Sequence, residues 1–133
     1  MAENLDSLVG LNKSIEVMPD ETMVWDEDDE LVHLHLISTS GLLKEINYVT
    51  GDFLNQFLSE EEISVVVYSE ISHLKPVVVG ERLVVGIRIS EVNQNMVLFK
   101  AIVMRETEKI AEATVKRAVV SKNYLRRKAL EQL

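Results

Sequence analysis

His73 ends a run rich in Val and Ile and stands just before a Pro-to-Gly corner, within Ile71-Ser72-His73-Leu74-Lys75-Pro76-Val77-Val78-Val79-Gly80-Glu81-Arg82-Leu83. Imidazole, with an unperturbed pKa near ~6.5, is the side chain that exchanges a proton at neutral pH. A strand-end corner holds such a group at the edge of a sheet. Upstream, Ser38-Thr39-Ser40-Gly41 opens the only long helical pattern in the chain. The first N–H groups of a helix have no intrahelical acceptor and favour negative charge. A hydroxyl-rich helix start and a strand-end imidazole together point to an active site. His33-Leu34-His35 adds two imidazoles on one face of a segment read as extended, a spacing that chelates zinc only when a third ligand approaches. No metal is expected from that pair alone.

The elements that must position these groups follow from the apolar pattern. Residues 10–24 read as one or two extended segments broken at Pro19-Asp20. Asp26-Glu27-Asp28-Asp29-Glu30 lacks the glycine of a calcium loop and reads as a solvated loop. From Ser40 to Leu58, Leu42, Ile46, Val49, Phe53 and Phe57 recur at helical spacing, with Ser38, Thr39 or Ser40 as the cap. Gly51 in that helix implies a kink or a close packing contact. Four strands follow, over 63–75, 82–92, 96–105 and 110–121, with connections short enough to predict antiparallel hairpins between consecutive strands. Residues 123–130 read as a short basic helix. Apolar residues on both faces of the first and third of these strands call for a second subunit.

The chain has 133 residues, enough for a single domain over 1–133, with 1–9 as an N-terminal tail and 123–133 as a helical appendage. It has no cysteine, so disulfides and thiolate chemistry are excluded. The acidic start lacks an apolar run, and no stretch approaches the roughly eighteen apolar residues of a membrane span. A soluble, cytoplasmic protein with no membrane partner is expected. The net charge of −8 argues against a nucleic-acid partner. That charge is uneven: residues 1–60 carry two basic and thirteen acidic side chains, residues 61–133 twelve basic and nine acidic.

One helix amid long antiparallel strands is an α+β order that a sheet wrapped around a central helix satisfies. It resembles the hot-dog fold of the acyl-CoA thioesterase superfamily. The segment His73 to Leu83 is similar to that superfamily's strand-turn-strand, and Ala111-Glu112-Ala113-Thr114-Val115 resembles its penultimate core strand. The fluoroacetyl-CoA thioesterase-like branch is the nearest. Its site comprises a threonine before the helix, an acidic residue about two helical turns later, and a strand-end histidine; here these positions are Thr39, Asn47 and His73.

The resemblance implies an acyl-CoA thioesterase for a small or medium acyl group. It implies no cofactor beyond coenzyme A within the substrate, and a homodimer or tetramer. His73 is then the general base and Thr39 the nucleophile or water-holder, while N–H groups of Ser40, Gly41 and Leu42 receive the oxyanion. An amide is no base, so Asn47 orients water or the carbonyl, or Glu45 takes that role. His33 and His35 line the acyl entrance, and Lys75 and Arg117 are candidates for the coenzyme A phosphates, as are Lys116, Arg126, Arg127 and Lys128. The alternative is a non-catalytic acyl-CoA-binding module, which Asn47 would suit.

Overall fold

The computed structural model describes residues 4–133. Five strands, β1 (Asn12–Val17), β2 (Glu62–His73), β3 (Leu83–Asn93), β4 (Met96–Arg105) and β5 (Glu108–Ser121), form one antiparallel sheet in the order β1-β3-β4-β5-β2. Helix α1 (Thr39–Asn55) lies on its inner face and α2 (Lys122–Glu131) follows β5. This is the expected α+β, hot-dog arrangement.

The sheet curls around α1 because strand parity and helix period present complementary apolar faces. Leu83, Val85, Ile87 and Ile89 of β3 and Val97, Phe99, Ala101 and Val103 of β4 are buried, alternating with more exposed neighbours. Against them α1 buries Leu42, Ile46, Val49, Phe53 and Leu54. Phe53 meets Phe99 edge to face, with ring centroids 6.4 Å apart.

Two glycines let other groups approach α1. A Cβ on Gly41 would lie 3.0 Å from Met23 Cβ, so its absence seats the 3-10 turn Glu21–Met23 on the first helical turn. A Cβ on Gly51 would lie 2.7 Å from Arg117 Nη2, so this position is the expected close contact.

Three expectations change. The strands β2 and β3 do not pair: β2 pairs with β5, and residues 74–82 cross the end of the sheet instead of closing a hairpin. The crossover is held elsewhere, since Leu74 and Lys75 N–H donate to Ile110 O at 2.8 and 3.2 Å, and Arg105 Nη1 donates to Pro76 O at 3.1 Å. Second, His33 and His35 do not share a face of an extended segment: residues Leu31–Leu34 form a 3-10 helix and His35 is left-handed, with φ 56°. Third, within the segment read as a tail, residues 1–3 lie outside the described residues, while Leu5–Leu8 is a 3-10 helix whose Leu5 and Leu8 are buried in the core.

Candidate active site

Helix α1 begins at Ser38, an extended N-cap whose Oγ accepts the Gly41 N–H at 2.9 Å and whose carbonyl accepts the Leu42 N–H at 3.0 Å. Gly41 and Leu42 are therefore not free oxyanion donors, which corrects the expectation for those two positions. The N–H groups of Thr39 and Ser40 carry no hydrogen bond among the described residues. Thr39, the first helical residue, is exposed.

His73 is the last residue of β2, opposite Ala111 of β5. Its Nδ1 lies 2.9 Å from Thr39 Oγ1, so the structure brings together the two groups singled out by the sequence. The other ring nitrogen, Nε2, is buried and has no hydrogen-bond partner among the described residues. Such a buried orphan is uncommon and costs free energy when left unsatisfied.

Asn47 lies further along α1, half-buried, and its Oδ1 is likewise buried without a partner among the described residues. Neither Asn47 nor Glu45 hydrogen-bonds to Thr39 or His73. The Asn47 carbonyl accepts the Thr50 hydroxyl at 2.9 Å and an N–H of Arg117 Nη2.

Arg117 is not the surface cation expected for a phosphate. It is only 7% exposed, lies under α1, and gives Nε to Thr50 Oγ1 at 3.0 Å and Nη1 to Ser64 Oγ at 3.0 Å. Burial lowers its pKa, and the negative charge of Asp52 opposes that shift. Lys75 stays on the surface just past His73, 3.8 Å from Glu108. His33 is exposed, and His35 Nδ1 meets Glu21 Oε2 at 3.1 Å. No group of three or more metal-ligating His, Cys, Asp or Glu residues occurs among the described residues. Beside the helix start a cavity of about 310 Å³ opens between Trp25 and Lys44.

Against this geometry, the sequence profile of the fluoroacetyl-CoA-specific thioesterases matches residues 19–123, which include Thr39, Asn47 and His73. The chain belongs to that family. Membership supports a thioester-hydrolysing activity and agrees with the fold. A hot-dog-like protein from Thermanaerovibrio acidaminovorans superimposes with a TM-score of 0.89 over 98% of both chains, at 22% identity. A variant of the fluoroacetyl-CoA-specific thioesterase gives 0.82 over 94% of this chain and 96% of its own, at 14% identity. A Thermus thermophilus hypothetical protein described as a thioesterase superfamily member gives 0.80 over 93% of both chains, at 19% identity. The same variant of the fluoroacetyl-CoA-specific thioesterase was also solved in complex with fluoroacetate and CoA. A search of curated proteins found no significant match. No helix among the described residues is long and apolar enough to cross a membrane.

Proposed function

We propose that this protein hydrolyses a small or medium acyl-CoA thioester at the Thr39–His73 pair. The observation that carries the reading is the 2.9 Å approach of Thr39 Oγ1 to His73 Nδ1 at a helix N-terminus, in a chain of the thioesterase family. With its proton on Nε2, His73 accepts at Nδ1 the proton of the Thr39 hydroxyl, or of a water held there, as the oxygen attacks the thioester carbonyl. The N–H groups of Thr39 and Ser40 and the positive end of α1 stabilise the oxyanion, which collapses to release the CoA thiolate. His73, now protonated, returns the proton to the leaving sulfur. Where water is the attacking oxygen, this collapse already yields the acid; where Thr39 attacks, it leaves an acyl-Thr39 ester, which a water deprotonated by His73 then hydrolyses to the acid and free Thr39. Asn47 orients water or the carbonyl through its amide, and Lys75 serves the coenzyme A phosphates.

A cytoplasmic homodimer belongs to the same reading. β2 is an edge strand that exposes Val66, Val67 and Tyr68, and α1 exposes Tyr48. An unpaired apolar edge is covered by another chain or aggregates. Two copies joined along β2 would also bring new groups toward the unpartnered Asn47 Oδ1 and His73 Nε2.

Thiol release from a panel of acyl-CoAs tests the activity. The native chain should turn over at least one of them, with His73→Ala and Thr39→Ala reduced about a hundredfold or more. Full turnover in His73→Ala would remove it from the mechanism. The non-catalytic module keeps one specific support, the amide at Asn47. It would show as thermal stabilisation by acyl-CoA with no thiol released.

A further inference from the structure

The two reacting groups come from distant parts of the chain, and one short segment joins their supports. Residues 74–79 leave β2 directly after His73. They then run beside residues 35–37, which lead through Ser38 into Thr39. Ile37 N–H donates to Val77 O at 2.8 Å, Val79 N–H donates to His35 O at 3.0 Å, and Leu36 bridges Val78. Val77 is fully buried, so the strap is anchored by a side chain as well as by its backbone.

A cluster of charges holds this strap from the other side. Glu81 Oε1 accepts the Val78 N–H at 2.8 Å, and Arg105 Nη1, from the end of β4, reaches Glu81 Oε2 at 3.0 Å and Pro76 O at 3.1 Å. Arg105 Nη2 also donates to Glu108 Oε1, and Lys75 lies 3.8 Å from Glu108. Arg105 and Glu81 are only 25% and 33% exposed, so water competes for them less than for an ordinary surface pair. Neither residue hydrogen-bonds to Thr39 or His73.

We infer that Arg105 and Glu81 are positioning residues for the Thr39–His73 pair, clamping the strap 76–79 that sets the separation between the two side chains. The function assigned to the clamp rests on the hydrolytic reading, but its structural effect does not. A displacement of about 1 Å in reacting groups costs up to about a hundredfold in rate, so a loosened strap should be visible in turnover before the fold is lost.

The experiment has two arms on the full chain. In the first, the nitrogen resonances of the His73 ring are followed by NMR in the native protein, Arg105→Met, Arg105→Lys and Glu81→Gln. In the second, kcat and KM are measured on the best acyl-CoA. Arg105→Met should shift the Nδ1 resonance and lower kcat about tenfold or more, with KM within about twofold. Arg105→Lys, which keeps the charge and one donor, should recover part of both. Glu81→Gln keeps an acceptor for Val78 and weakens the ion pair; it should move both readouts in the same direction, and it decides the matter if Arg105→Met does not fold. An unchanged Nδ1 resonance with unchanged kcat in a folded Arg105→Met or Glu81→Gln protein would overturn the inference. If the native chain releases no thiol from any acyl-CoA, the hydrolytic reading fails while the resonance arm still decides whether the clamp holds the pair.

Discussion

The role proposed for Asn47 predicts a separation of stability from function. Its Oδ1 is buried with no partner among the described residues, so replacing the amide by an apolar side chain of similar size removes an unsatisfied group. Asn47→Leu should match the native protein in urea unfolding or exceed it by about 1 kcal/mol, while thiol release falls about tenfold or more. Loss of both together would make Asn47 a folding residue only. Thr39 and His73 were legible in the sequence because a strand-end imidazole and a hydroxyl at a helix start fit a family pattern, and the 2.9 Å contact joins them. Arg117 was misplaced because a count of charges carries no depth. A signal was present in the strand parity, which sets Arg117 in step with the buried Ala113, Val115 and Val119. The unused donors of the site were also out of reach, since choosing among Ser38, Thr39 and Ser40 as the cap decides which N–H groups are consumed.

At the scale of elements, Gly51 and Arg117 form a lock between helix and sheet. Alanine raises helix propensity by about 1 kcal/mol over glycine, yet a Cβ here would stand 2.7 Å from Arg117 Nη2. Gly51→Ala should therefore destabilise the fold by about 1–3 kcal/mol in urea unfolding, and combining it with Arg117→Ala should cost less than the sum of the two. The clamp at the end of β4 makes a pH prediction. The hydrogen bond from Arg105 holds the Glu108 carboxyl below its ordinary value, assisted by the charges of Arg105 and Lys75 and opposed by partial burial; Glu81 also faces Arg105. A carboxylate whose folded pKa is depressed contributes stability above its unfolded pKa and loses it as pH falls through the folded one. Acid unfolding of Arg105→Met should accordingly lack part of the steep loss below the usual carboxylate range that the native chain shows. The helix and the four strands from residue 62 onward were legible from period and parity alone. The path of residues 74–82 was not, because a loop that closes a hairpin and one that crosses a sheet end can have the same length and turn residues. What decides is the partner of β2, and β5 lies far downstream.

For the molecule as a whole, the turn Leu5–Leu8 belongs to the core. Leu5 and Leu8 are each 5% exposed, so Leu8→Ala should cost about 2–5 kcal/mol, and chains lacking residues 1–9 should unfold at lower urea than the full chain. If β2 edges join two copies, Tyr68→Glu should give a monomer by sedimentation, and only the native protein's melting temperature should rise with protein concentration. The sheet order has a further consequence for how the chain is made. Asn12 pairs with Arg88, and α1 packs on β2, β3 and β5, with Phe53 meeting Phe99 of β4, so when the ribosome has emitted residues 1–60 none of those four strands yet exists for the apolar face of that helix to meet. This nascent half carries thirteen acidic and two basic side chains, a charge that repels neighbouring nascent chains while the helix waits. The acidic side chains of the first half, none of which hydrogen-bonds to Thr39 or His73 among the described residues, should therefore keep the nascent chain soluble, and neutralising Asp26 to Glu30 should raise the aggregated fraction during translation more than it alters the stability of the folded protein.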